Sequence, residues 1–116
     1  MQRISCILTA FLLSCPGFSQ TGDLKAMECF NLGTYKVVKK DFKAAIVEFN
    51  EAIRRDSLFL QAYENRGVAK YYLNDFTGAI EDYNKALDIN PDDYNTFGRR
   101  GYARFQLNDF KTAVAD

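Results

Sequence analysis

The charged residues that could form ionic contacts recur at fixed distances along the sequence. Arg66 with Lys70, and Arg100 with Arg104, are basic pairs whose four-residue spacing places both cations on one helix face. Acidic residues recur at one constant interval, at Glu48, Asp82 and Asp116. One interpretation is a ladder of cations for an acidic partner. We favour the other, ion pairs of Glu48 with Arg66 and of Asp82 with Arg100, because acid and base recur with one period.

Groups suited to catalysis are scarce. The sequence contains no His, so it lacks the usual general base at neutral pH and the commonest metal ligand. It has no G-x-S-x-G, P-loop, G-x-G-x-x-G, C-x-x-C or H-E-x-x-H pattern. Asp92 and Asp93 follow Pro91 and are most simply the start of a helix. We predict a protein that is not an enzyme and has no catalytic residue, cofactor or metal site.

The overall charge gives no reason to expect a nucleic-acid partner. Fifteen basic and fifteen acidic residues leave a net charge of zero over 116 residues. Non-specific binding to phosphates depends on surplus Lys and Arg, so neither nucleic acid nor an anionic membrane is an expected partner.

Residues 1–19 have the layout of a signal peptide. A single charge at Arg3 precedes an apolar run from Ile4 to Cys15, which is too short to span a bilayer. Small residues at Gly17 and Ser19 suit cleavage before Gln20, and "GFSQ" resembles the ends of secretory signals common in bacteria. We therefore expect a secreted or periplasmic protein. The alternative is an outer-membrane lipoprotein in which "LLSC" is a lipobox and Cys15 carries the lipid.

The rest of the sequence repeats with one constant period. The repeating positions are Gly33, Gly67 and Gly101, then Ala45, Ala79 and Ala113, and the pairs Asp41-Phe42, Asp75-Phe76 and Asp109-Phe110. A fixed period of this size indicates a stacked array of helical hairpins. In the best copy we expect one helix over about 60–73, a turn at Asn74 and Asp75, and a second helix over about 76–89 that ends before Pro91.

The repeated small residues indicate close packing within each hairpin. Gly inside a helix costs roughly 1 kcal/mol relative to Ala, so its recurrence suggests that two backbones approach closely there. The expected opposing surface on the second helices is formed by Ala45, Ala52, Ala79, Ala86 and Ala113.

This pattern resembles the tetratricopeptide repeat, or TPR. The matching positions are Leu32, Gly33, Ala45, Phe49 and Ala52 in the first unit, Tyr63, Gly67, Ala79, Tyr83, Ala86 and Pro91 in the second, and Phe97, Gly101 and Ala113 in the third. Cys29, Ser57 and Lys36, with Lys70 and Arg104, depart from the family pattern. The resemblance implies an all-α, TPR-type α-solenoid, with a linker at 20–25, repeats at 26–59 and 60–93, and an incomplete third repeat at 94–116.

The resemblance also implies a binding groove along the first helices of the units. Transferred by position, its lining includes Phe30, Thr34, Val37, Glu64, Val68, Tyr71, Tyr102 and Phe105. Such an apolar, aromatic groove would bury side chains of a peptide, unless some of these residues belong to the core. The family's carboxylate clamp needs Lys and Asn where this sequence has Phe30 and Thr34, so a chaperone-tail adaptor is disfavoured.

Together these features predict an exported, non-catalytic module that binds another protein or peptide. Two alternatives stay open: the N-terminal portion of a longer exported protein, or a lipid-anchored assembly factor of the outer membrane. We expect no transmembrane helix in the mature chain. Because arrays of this kind need terminal caps, self-association through the C-terminal end is a further expectation.

Overall fold

The computed structural model describes residues 20–115, which form five α-helices. They are α1 (Gln20–Val38), α2 (Phe42–Arg55), α3 (Leu60–Tyr72), α4 (Phe76–Ile89) and α5 (Tyr94–Ala115). The predicted signal peptide, its cleavage or lipidation site, and Asp116 lie outside the described residues. The expected linker at 20–25 is helical, since α1 begins at Gln20.

The helices stack in chain order. α1 packs on α2 and α3 on α4 as two hairpins, while α2 meets α3 and α4 meets α5. Each inner helix therefore has a neighbour on both sides. The buried contacts are dominated by small residues, with Ala45, Ala52, Ala79 and Ala86 at 0% exposure. The side chain of Ala113 lies outside the described set.

The recurring Asp-Phe pair marks the start of the second helix in each complete hairpin. Asp41 accepts a hydrogen bond from the Ala44 backbone N–H (3.3 Å), and Asp75 accepts one from Gly78 (3.0 Å). These carboxylates satisfy backbone donors that an α-helix leaves free at its first turn. The turn residues before them, Lys40 and Asn74, have φ values of 61° and 63°. Each turn therefore uses the left-handed region of backbone space.

The turn before the recurring Asp-Phe pair is not repeated at Asn108 and Asp109, because α5 is one continuous helix from Tyr94 to Ala115. The incomplete second helix of the third unit does not fold back. A turn interrupts helical hydrogen bonds, and that cost is offset only when the following helix packs along its neighbour.

The repeated glycines make room for aromatic rings, which corrects the expectation that two backbones meet there. A Cβ atom added to Gly33 would lie 2.6 Å from Phe49 Cε1, and one added to Gly67 would lie 2.7 Å from Tyr83 Cε1. Both rings are buried. Gly101 differs, because a Cβ there would have no neighbour within 4 Å. Pro91 lies exposed in the turn after α4.

The predicted ion pairs between successive units are wrong, because the acidic residue was assigned to the wrong hairpin. Arg66 forms a two-pronged salt bridge with Asp82 of its own hairpin, at 2.6 and 2.9 Å, and Lys70 lies 3.0 Å from the same carboxylate. The contact to the preceding unit uses an amide instead: Arg66 Nη1 donates to Asn50 Oδ1 (2.9 Å). A carboxylate at this position of the second helix faces the first helix of its own hairpin, which brings Asp82 to Arg66.

Candidate functional site

A cleft of about 620 Å³ lies between α3 and α5. From α3 it is lined by Val68, Tyr71 and Tyr72, and from α5 by Tyr94, Asn95, Gly98, Arg99 and Tyr102, with Tyr83 of α4 completing the lining. These spacings put each set on one face of its helix. α3 and α5 are the first helices of two successive units, and their lining residues face each other across the cleft. We call these two sets of residues the α3 wall and the α5 wall.

The α3 wall is built from aromatic side chains that hold one another in place. The Tyr71 ring meets the rings of Tyr72 and Phe76 edge to face, with centroids 5.7 and 5.4 Å apart. Tyr72 in turn stacks on Phe42 of α2 at 5.0 Å, with an angle of 12° between the rings. Offset and edge-on ring pairs are favourable arrangements. This wall is therefore formed before any ligand binds.

The α5 wall carries exposed aromatic side chains and a cation. Tyr94 is 82% and Tyr102 69% exposed, so both rings are available to a ligand. Arg99 adds the only positive charge among the cleft-lining residues, and no carboxylate of the described residues lies within salt-bridge distance of it. Burial raises the pKa of Tyr83 to about 12, which keeps its phenol neutral. The cleft therefore suits apolar or aromatic groups accompanied by a negative charge.

A hydrogen-bonded cluster joins α3 to the start of α5 beside the cleft. The fully buried Thr96 side chain hydrogen-bonds to Glu64 Oε1 and, at 3.0 Å, to Asp93 Oδ2. Asp93 also accepts from the backbone N–H groups of Asn95 and Thr96, which caps α5. Burial, and then the neighbouring Asp93, raise the pKa of Glu64, while the hydrogen bond from Glu64 lowers the pKa of Asp93. Glu64 therefore gives up its proton less readily than a free carboxyl group, and Asp93 more readily.

The raised pKa of Glu64 should make the contact between α3 and α5 weaken as the solution becomes neutral. A pKa raised by folding contributes stability below its unfolded value, here 4.5, and the contribution is lost as pH rises through the folded value. The lowered pKa of Asp93 contributes stability that is lost as the pH falls, so it offsets part of the stabilisation from Glu64 at acid pH. The side chain of Glu64→Gln stays neutral at every pH. We expect its melting temperature to rise relative to that of the wild type as the pH increases from about 4 to 7.

Thermal denaturation, monitored by circular dichroism at several values in that pH range, measures this effect. Glu28→Gln removes an exposed carboxyl group on α1 and controls for the loss of one negative charge. Parallel curves for the wild type and Glu64→Gln would contradict the raised pKa of Glu64.

The structure brings together only part of the predicted groove. Val68, Tyr71 and Tyr102 line the cleft. Phe105, 60% exposed, lies in a neighbouring depression on α5, beside Gly98, Gly101 and Tyr102. Glu64 is engaged by Thr96 and helps to join the two walls.

The α1 part of the predicted groove is half-buried and packs against neighbouring helices. Phe30 lies between the rings of Phe49 and Phe59, at 6.0 and 4.9 Å. Thr34 Oγ1 donates to its own helix at the Phe30 carbonyl (3.0 Å). Val37 packs against the cluster around Phe49. These three residues support the fold beside α2 and α3 and do not line the cleft.

Among the cleft-lining residues of α5, Tyr94 and Arg99 were not predicted. They lie on the same face of α5 as Gly98 and Tyr102 because 94, 98, 99 and 102 follow helical spacing. That spacing is readable in the sequence. The groove positions of the family pattern, transferred one by one, do not include these two residues.

Comparison with known proteins places this geometry among repeat proteins. Residues 60–93 match the family model described as "Tetratricopeptide repeat". The TPR2B domain of yeast Sti1, in a complex with pHsp70, superposes with a TM-score of 0.71 at 28% identity, covering 79% of this chain and 74% of that domain's chain. The Arabidopsis OM64 TPR domain gives a TM-score of 0.73 at 28% identity, with 81% and 78% covered. The fold is a TPR solenoid.

A further TPR neighbour is the first TPR of Spaghetti (RPAP3) bound to the HSP90 peptide SRMEEVD. Its TM-score is 0.72 at 26% identity, with 77% of this chain and 71% of that chain covered. No curated protein matches the sequence. TPR domains are generally non-catalytic modules for protein interaction. Within residues 20–115, none of the helices of this TPR fold combines the length and apolar character needed to cross a bilayer.

Proposed function

We propose that this protein is an exported, non-catalytic binding module that holds a peptide segment of another protein in the cleft between α3 and α5. The observation that carries the proposal is the fixed aromatic wall at Tyr71 and Tyr72 with exposed Tyr102 facing it. Arg99 lies beside Tyr102 on that opposite wall, and no carboxylate of the described residues is within salt-bridge distance of it. Aromatic side chains supply large contact areas at binding sites, and Arg can pair with a carboxylate. The expected ligand is an extended peptide with an aromatic or aliphatic anchor beside an acidic residue.

The structural neighbours support peptide binding as the general activity. The Sti1 and RPAP3 domains are described in complexes with pHsp70 and with an HSP90 peptide. This chain departs from the family's carboxylate clamp, because Phe30 is packed between two rings and Thr34 bonds to its own helix. Its selectivity would therefore come from the aromatic cleft and Arg99, which favours ligands other than chaperone tails.

Export is the second part of the proposal and rests on residues 1–19. Their short apolar run and small residues before Gln20 support cleavage there and a secreted or periplasmic location. Intact mass measurement of the mature protein tests it. A chain starting at Gln20 supports secretion, whereas an acylated Cys15 indicates the lipoprotein alternative, and retention of Cys6 would contradict both.

Peptide binding can be tested without knowing the natural partner. Peptides selected from a random display library against the protein should carry an aromatic or aliphatic anchor next to an acid. Tyr102→Ala should weaken their affinity by about 5- to 30-fold in fluorescence anisotropy, because an aromatic anchor typically carries about 1–2 kcal/mol of binding energy. The side chain is 69% exposed, so its loss should leave the fold intact.

Tyr35→Ala is the matched control. Tyr35 is 54% exposed on α1, outside the cleft, so its truncation should leave affinity unchanged. Equal affinities for all three proteins would place the site elsewhere, and a failure to select any peptide would argue against the binding function.

A further inference from the structure

We propose that the cleft contains a carboxylate-binding subsite, in which the Tyr83 hydroxyl group and the Arg99 guanidinium together receive one carboxylate of the bound peptide. We call these two groups the inner subsite. This inference rests on the proposed function and adds the orientation of the peptide: its acidic group enters deepest, toward α4, and its apolar anchor lies nearer the rim. It also gives Tyr83, a packing residue of the fold, a second role in binding.

Tyr83 is held at the bottom of the cleft. Among the lining residues, all of which lie within 20–115, Tyr83 alone comes from neither wall. It lies on α4, which packs against both α3 and α5, in a buried cluster with Ala79 and Ala103. Its side chain is only 2% exposed, and its ring packs over Gly67. The hydroxyl group is therefore carried on a ring whose position is fixed by the core.

The Tyr83 hydroxyl group is available to a ligand. Buried polar groups nearly always have a hydrogen-bond partner. Throughout residues 20–115, each side-chain nitrogen or oxygen atom that is sealed from solvent has such a partner. The Tyr83 hydroxyl group forms no hydrogen bond with a described residue, so it must be the part of this side chain that reaches the cleft. A phenol can donate one hydrogen bond, and this donor has no protein acceptor among those residues.

The charge of the inner subsite favours a carboxylate. Burial raises the pKa of Tyr83 to about 12, although the positive charge of Arg99 opposes part of that rise. The phenol therefore stays a neutral donor beside a permanent cation. Burial also raises the pKa of Glu64, whose carboxyl group is bonded by Thr96, and this leaves Glu64 less able to neutralise Arg99. One cation matches one negative charge, whereas a phosphate dianion would leave a charge without a partner beside a buried phenol.

The depth of the aromatic rings sets the orientation of the ligand. Tyr71 is half-buried and packs against the cluster around Tyr83, whereas Tyr102 and Tyr94 are 69% and 82% exposed. Exposed rings therefore surround the rim, and the free hydroxyl group lies at the bottom. A carboxylate there would accept charge-assisted hydrogen bonds, which are shorter and stronger than those to a neutral amide. The inner subsite should therefore distinguish an acid from its amide.

Three acetylated dipeptides test the inner subsite without knowledge of the natural partner. Acetyl-Phe-Asp-amide carries a side-chain carboxylate, acetyl-Phe-Asn carries a terminal carboxylate, and acetyl-Phe-Asn-amide carries neither. Their affinities are measured by two-dimensional NMR titration of the full chain. We expect at least one carboxylate probe to bind about tenfold more tightly than the neutral probe, since hydrogen bonds to charged groups are the stronger ones. The tighter of the two shows whether a side chain or a chain terminus supplies the carboxylate.

Tyr83→Phe removes the hydroxyl group and keeps the ring that packs over Gly67. It should weaken binding of the carboxylate probe about tenfold and leave the neutral probe unchanged. Its melting temperature should not fall, because no internal hydrogen bond is lost. Arg99→Gln should have the same selective effect on binding. Tyr35→Phe is the matched control, since Tyr35 is 54% exposed on α1 outside the cleft, and it should bind all three probes as the wild type does.

Equal affinity of the wild type for charged and neutral probes, or no binding of any probe, would overturn the inner subsite. A lowered melting temperature of Tyr83→Phe would also overturn it, because the hydroxyl group would then be bonded inside the protein. Display-selected peptides that depend on Tyr102 but tolerate Tyr83→Phe would contradict the inner subsite alone and leave the proposed function standing. Selective binding of the carboxylate dipeptides without any selected peptide would contradict the proposed function alone.

Discussion

Replacing Gly67 with leucine should abolish cooperative thermal unfolding of the protein. A Cβ atom at Gly67 would already lie 2.7 Å from Tyr83 Cε1, and the Tyr83 ring is only 2% exposed, so it has no open space to enter. Inserting atoms into a packed core typically costs about 1–3 kcal/mol, and leucine adds three carbons beyond the Cβ. Because α3 and α4 stand at the centre of the array, their separation removes support from both neighbours.

Circular dichroism and calorimetry measure this result, and Gly101 provides the matched control. It is the equivalent residue of the third unit, but a Cβ there meets nothing within 4 Å. Gly101→Ala should therefore stabilise the protein by roughly 0.5–1 kcal/mol through helix propensity alone. An unchanged melting curve for Gly67→Leu would refute the packing of Tyr83 against α3.

Loss of the carboxylate at Asp82 should have the second large effect. Its side chain is 3% exposed and binds both Arg66 and Lys70, whose side chains are 18% and 20% exposed. Asp82→Ala would leave two largely buried cations without their partner. Removing one member of a buried pair costs about 3–5 kcal/mol, mainly because the remaining charge stays desolvated. We expect a loss of roughly 3 kcal/mol in the free energy of unfolding by urea denaturation.

Glu51→Gln is the control for the removal of an ion-paired acid. Glu51 also binds two cations, Arg54 and Arg55, each at 2.7 Å, but on the surface. Water and salt screen such a pair, so its removal should leave the denaturation midpoint nearly unchanged. Equal effects of the two substitutions would show that Asp82 does not act through a buried ion pair.

The sequence was sufficient to predict the helical array, because its evidence is periodic. Glycines, alanines and Asp-Phe pairs that recur with one period predicted an all-α TPR solenoid, and the structural neighbours confirm that fold. Periodicity does not reveal which side chain meets which. The Arg66 guanidinium contacts both Asp82 and Asn50. Spacing alone could not decide whether Glu48 or Asp82 is its acidic partner.

The binding cleft was only partly predictable for a related reason. Phe30, Val68 and Tyr71 are all apolar or aromatic residues of first helices. Their contacts separate them: Phe30 lies between the rings of Phe49 and Phe59, whereas Val68 and Tyr71 line the cleft before α5. That difference depends on which helices pack on either side. Residue type alone does not encode it.

The tetrapeptide Leu-Asn-Asp-Phe occurs twice, at 73–76 and at 107–110, in two conformations. At the first copy Asn74 takes a φ of 63° and the chain reverses, whereas at the second the same letters continue a helix. Identical local sequences have identical local preferences, so the difference must come from the contacts that follow. The local sequence therefore does not set the hairpin turn by itself, and we expect the packing of α4 on α3 to stabilise the turn at Asn74.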